Sequence, residues 1–243
     1  MRKTSAFIAA ALAAATVVLP AAAAGAATGS TTPDAASTTS AVPAFDYSDC
    51  PQLPSGVDPA KWRCEVLVAE GTTTIGSSTM PFRFDRVTHA EGPMPDGTPG
   101  QVFGAFRAPS LPVPGRQTGD GHGPKLWMQP RLTVVPDFYS QDGKMSMVFD
   151  LSGPRLGPRC SIGSAAAPVE VAAGRVPGTT ERVSQNPPII TFQVLDASLA
   201  LPGVSGCGRA SEELNRRFGL PSPSGTNRLT GTVFYSFRTY DQL

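Results

Sequence analysis

Apolar and polar residues alternate with a period of two in several separate stretches, the pattern of strands that bury one face. The cleanest is Met145, Met147, Phe149 and Leu151, set against Ser146, Val148 and Asp150. Trp62, Cys64, Val66 and Val68 alternate with Arg63, Glu65 and Leu67, and a turn is expected to start at Glu70 and Gly71. Met80, Phe82 and Phe84 open a further run that continues through Val87 to a strand end at His89. Residues 102–108 read as a strand with Gly104 marking a bulge, and residues 125–135 as a strand interrupted at Pro130, which belongs at an edge or bulge. Val169 with Val171, then Ile190, Phe192 and Val194, then Leu229, Val233, Tyr235 and Phe237 supply the remaining strands.

Between these runs, residues 92–100 carry almost pure loop signal, and residues 109–124 form a long proline- and glycine-rich segment of the kind that is functional or mobile. One stretch looks helical. Ser211 is placed to cap it, Glu212 and Glu213 lie at its start, Arg216 and Arg217 near its end, and Gly219 can terminate it. Two turns cannot stand alone, so it must dock through Leu214 and Phe218. The fold class expected is all-β: an antiparallel β-sandwich with one short helix near the C-terminus. A closed barrel is disfavoured by the long, irregular loops.

Composition agrees. The 243 residues include 25 glycines and 25 prolines, which resist long helices, while 40% hydrophobic residues suffice for one core. Charged residues are 16% and the net charge is +1, so no field selects nucleic acid or an acidic surface as partner.

The N-terminus reads as an address. Arg2 and Lys3 precede an uncharged Ala-rich stretch broken at Pro20, and small residues allow cleavage after Ala24 or Ala26. Residues 1–26 are therefore expected to be a signal peptide, 27–48 a flexible Thr/Ser/Pro-rich linker, and 49–243 a single β-sandwich domain. The apolar part is shorter than a bilayer core requires, so no stable membrane span is expected once the leader is removed.

An exported chain with four cysteines is expected to form two disulfides. Three pairings exist; the favoured one joins Cys50 to Cys64 across a folded-back proline loop, and Cys160 to Cys207 between two glycine-rich turns. No closely spaced C-x₂₋₄-C or H-x₃₋₅-H ligand pair occurs, so no structural zinc and no other metal site is expected. Calcium lacks its EF-hand series despite the Asp-Gly turns at Asp96, Asp120 and Asp142, and no nucleotide or redox cofactor fingerprint is present.

For catalysis the chain offers only His89 and His122 as histidines, and the nearest approach to a nucleophile elbow, at Ser205, has Cys207 where glycine belongs. Asp85, Glu91, Asp96, Asp137, Asp142 and Asp150 sit in no glycosidase motif. No catalytic residue is assigned. Candidate ligand-binding residues are Trp127, His122 and Tyr139; Trp127 follows the long glycine loop, with Leu126 and Met128 expected on the opposite face. These features predict a secreted or envelope-associated, non-catalytic binding or structural module, whose partner is an extracellular protein or a cell-wall component. The alternatives are a peptidase inhibitor presenting the loop at residues 51–59, and a hydrolase using His122.

The segments Asp49-Cys50-Pro51-Gln52-Leu53-Pro54, Lys61-Trp62-Arg63-Cys64-Glu65, Cys160-Ser161-Ile162-Gly163 and Phe218-Gly219-Leu220-Pro221-Ser222, with the Ala-rich leader and Thr/Ser tether, resemble uncharacterised secreted proteins of actinobacteria. The resemblance spans much of the mature chain. It implies an exported actinobacterial setting and transfers no activity and no functional residue.

Overall fold

The computed structural model of the chain describes residues 41–114, 126–138 and 144–243. The expected leader, most of the expected linker, His122 and Tyr139 lie outside the described residues.

Two antiparallel sheets are present. In chain order the elements are β1 (Arg63–Ile75), β2 (Ser78–Pro93), β3 (Pro99–Arg107), β4 (Leu111–Pro112), β5 (Trp127–Leu132), β6 (Lys144–Ser152), β7 (Ser161–Ile162), β8 (Val169–Ala172), β9 (Gly174–Arg175), β10 (Glu181–Gln185), β11 (Pro188–Asp196), β12 (Val204–Ser205), α1 (Ser211–Phe218) and β13 (Arg228–Thr239). The first sheet runs β10-β11-β13-β1-β2-β3, with β9 also on β11. The second runs β12-β7-β6-β5-β4, with β8 also on β6. Their inner faces share one core, in which Met147, Phe149, Ile162, Phe218 and Leu229 are almost fully buried.

The alternating patterns place the longer strands well, although β2 and β3 reach into the expected loop at residues 92–100, and three residues depart from expectation. The first is at Gly71, where no turn forms. β1 continues to Ile75, because Gly71 faces Gly231 of β13 so closely that an added Cβ would stand 2.0 Å from the Thr230 carbonyl oxygen. A residue pair that reads as a turn is here a close approach of two backbones. The second is at His89, which lies inside β2 and is buried, since pairing with β1 and β3 carries the strand on to Pro93. The third is at Ser211. It is the first residue of α1, not its cap: a 3₁₀ turn over Gly208–Ala210 feeds the helix, and the Ser211 hydroxyl donates back to the Gly208 carbonyl. The helix ends at Gly219 in the left-handed conformation and docks through Leu214 and Phe218.

Bulges set the phase of the first sheet. Between β1 and β2 the register shifts so that Leu67 faces Val87 and Ala69 faces Phe84, which puts one extra residue in β2 at Asp85–Arg86. The parity that points inward therefore changes along β2. Met80, Phe82 and Phe84 face the core before the bulge; Val87, His89 and Glu91 share the inner face after it. The bulge expected at Gly104 is also present, opposite Thr88 and His89, and a Cβ there would lie 2.4 Å from Thr88 Oγ1 and 2.5 Å from the Asp49 carbonyl.

The segment before β1 packs on the other face of this sheet. Thr88 donates to the Asp49 carbonyl, Tyr47 to Ser236 Oγ, and Tyr240 to the Pro51 carbonyl. Both favoured disulfides are formed: Cys50–Cys64 clips this segment to β1, and Cys160–Cys207 joins the chain flanking the paired strands β7 and β12. Trp62 is completely buried, its indole donating to the Pro93 carbonyl and its ring lying over Gly92 and Gly100.

Candidate functional site

Trp127 is half-buried on the outer face of the second sheet, while Leu126 and Met128 are buried beneath it, as the alternation predicts. Gln129 and Arg131 share its face, and Arg131 makes a two-pronged bond to Asp150 at 2.7 and 3.1 Å. Other carboxylates have local tasks: Asp96 accepts from the backbone and hydroxyl of Thr98, and Asp85 pairs with Arg83. Ser205 belongs to β12 and pairs with Ser161. The structure does not bring Trp127 together with the other two expected binding residues in any describable way, because His122 and Tyr139 fall outside the described residues.

A different site lies between the sheets. A cavity of about 460 Å³ is bounded on one side by Leu67 and Ala69 of β1, Phe82 and Phe84 of β2, Phe192 of β11 and Val233 of β13. Met145 of β6 and Val171 of β8 close it from the second sheet. Gly231 of β13 also borders it, where an added Cβ would stand 2.8 Å from the Glu70 carbonyl oxygen of β1. The exposed Glu70 and Arg175 also border it, so the cavity meets solvent on that side; the Arg175 guanidinium lies 3.9 Å from the centroid of the Phe192 ring. Protein interiors rarely leave voids much larger than a water molecule, whereas ligand pockets span roughly 300–1,000 Å³.

One step further along the same inner face stands a buried polar cluster. Glu65 lies directly opposite His89 across β1 and β2, as Arg63 lies opposite Glu91. His89 Nε2 stands 3.2 Å from Glu65 Oε2 and 3.5 Å from Glu91 Oε1. Arg63 Nη2 stands 3.0 Å from Glu65 Oε1 and 3.6 Å from Glu91 Oε1, its guanidinium also over the Phe237 ring. Phe138 stacks on the His89 ring, centroids 4.3 Å apart, and borders the cavity as well. Gln101 holds it there, donating to the Pro136 carbonyl and accepting from the Phe138 amide.

Searched against protein-family models, curated proteins and solved structures, the chain matches none of them.

The electrostatics of the cluster follow from burial and proximity. Burial raises the Glu65 carboxyl above its ordinary value, with His89 opposing and Glu91 reinforcing the shift. For His89 burial works against the imidazolium, but Glu65 and then Glu91 outweigh it, so its titration is raised. Tyr235 is pushed up by burial and by the neighbouring Glu65. With only 3% of its surface exposed and its Nε2 between two carboxylates, His89 is not presented to an external substrate. Sequence reading missed this constellation, since Glu65 and His89 are far apart in the chain and the alternation starting at Met80 points His89 outward until the bulge is known. The readable trace was small: His89 and Glu91 two residues apart on one strand, hence on one face.

Proposed function

We propose that the mature chain is exported and serves as a non-catalytic binding module of the extracellular space or cell envelope, taking a compact apolar molecule between its two sheets. The cavity of about 460 Å³ carries this reading. Its walls are largely aromatic and aliphatic, its size is that of a ligand site, and the disulfides suit an oxidising compartment. The aromatic faces of Phe82, Phe84 and Phe192 favour a ligand with little polarity, and Arg175 and Glu70 mark the side from which it enters.

The test uses the secreted protein and a neutral fluorescent probe, N-phenyl-1-naphthylamine. Saturable binding at one probe per chain is expected. Ala69→Leu, which grows a side chain into the cavity from β1, should weaken that binding at least tenfold while leaving the melting temperature unchanged or higher. Absence of saturable binding, or equal binding by the Ala69→Leu protein, overturns the proposal. Export is tested separately by N-terminal sequencing of protein from the medium, expected to begin just after Ala24 or Ala26.

A further inference from the structure

Three ligand-type atoms, one imidazole nitrogen and two carboxylate oxygens, converge at Glu65, His89 and Glu91, all within 4.8 Å of one another. The spacing is chemically specific. A divalent cation with metal–ligand bonds of about 2.0–2.1 Å in tetrahedral geometry holds neighbouring ligand atoms about 3.3 Å apart. His89 Nε2 already stands at 3.2 and 3.5 Å from its two oxygens.

The second observation concerns Glu65. Its side chain is only 5% exposed, yet Oε1 accepts no hydrogen bond; Arg63 Nη2 approaches to 3.0 Å as a charge, outside hydrogen-bond geometry. Buried carboxylate oxygens ordinarily accept hydrogen bonds, and one held only by the charge of Arg63, in a site of metal-ligand composition, points to a position that a cation can take. The donors are also well mounted. All three lie on paired strands near one end of the β1–β2 ladder, where β2 also pairs with β3, and Phe138 packs on the imidazole ring, so the geometry is held by hydrogen-bonded elements. Access exists on one side, since Glu91 is 19% exposed and Arg63 43% exposed.

We propose that Glu65, His89 and Glu91 form a binding site for one divalent first-row transition cation, with Arg63 as the guanidinium that occupies the charge position when the cation is absent. One nitrogen and two oxygens suit zinc, cobalt, manganese or ferrous ions better than calcium, which takes six or more oxygens. With three protein ligands, a fourth position remains for water or for an oxygen of a small ligand. The carboxylates balance the cation's two charges. Arg63 then moves into solvent along Phe237, over which it already lies.

The experiment strips the purified secreted protein with chelator and titrates it with Co²⁺ by absorbance and with Zn²⁺ by calorimetry. One equivalent per chain is expected, with visible Co²⁺ bands of low-coordinate intensity. Glu91→Gln should weaken binding at least tenfold, and His89→Gln should abolish it. Arg63→Ala should tighten it, which a purely ion-paired cluster would not do. Should His89→Gln fail to fold by circular dichroism, Glu91→Gln and Arg63→Ala, at the more exposed positions, carry the result. The proposal is overturned if the folded parent takes up no stoichiometric ion. It is equally overturned if Glu91→Gln and Arg63→Ala leave the affinity unchanged, which places the ion elsewhere. Neither outcome bears on the apolar cavity.

Discussion

Asp49 shows how much one surface-facing carboxylate can tie together. It takes both prongs of Arg107 at 3.0 Å each and Arg86 Nη2 at 2.9 Å, while its carbonyl receives the Thr88 hydroxyl. The Arg107 bonds hold the Asp49 carboxyl below its ordinary value of 3.8; burial opposes them, and the charges of Arg86 and Arg107 add to the lowering. A carboxyl with a lowered folded-state value contributes stability that is complete above its unfolded value and is lost as pH falls through the folded one. Urea unfolding at a series of pH values should therefore show stability dropping below about pH 4, and Asp49→Asn should flatten that drop. An unchanged acid limb in the variant would refute the assignment. Gly71 is a second residue-scale case. Because its missing Cβ is filled by the Thr230 carbonyl at 2.0 Å, Gly71→Ala forces β1 and β13 apart. The expected loss is about 1–3 kcal/mol by denaturant unfolding.

Among the elements, the two disulfides act on different parts of the sandwich. Cys50–Cys64 spans 14 residues and holds the segment that covers the outer face of the first sheet; Cys160–Cys207 spans 47 residues and holds the chain around β7, β12 and α1. Loop-closure entropy grows slowly with length, so replacing the first pair by alanines should cost about 3 kcal/mol and the second about 4 kcal/mol. Chemical denaturation of the two double variants, read by the fluorescence of buried Trp62, checks both values. These pairings could be read from the chain because short closure and flanking turns are local properties. So could the half-exposed Trp127 above buried Leu126 and Met128, and the docking of α1 by Leu214 and Phe218. The strand β10 could not: its residues are mostly exposed on both faces, so no apolar alternation marks it. The turn expected at Gly71 failed for a related reason, since glycine marks tight turns and close backbone contacts alike, and only the partner strand tells them apart.

On the scale of the whole molecule, the last strand is the central one. β13 lies between β11 and β1, with Arg63 paired to Thr239 and Ile189 to Ser236. A chain ending at residue 227 loses the strand that joins the two halves of the first sheet and should show no cooperative unfolding transition. A sharp transition in that truncated protein would mean that the remaining strands close up without β13. The sequence by itself determined the all-β class, the period-two strands and the short helix near the C-terminus, and it favoured the sulfur pairing that forms, because each depends on neighbours within a few residues or on loop closure. Tertiary structure alone decided that Glu65, His89 and Glu91 meet, and that an apolar cavity lies beside them. The physical reason is phase: one extra residue in β2 at Asp85–Arg86 reverses which parity faces inward, and the pairing that produces it joins residues brought together only by the folded sheet.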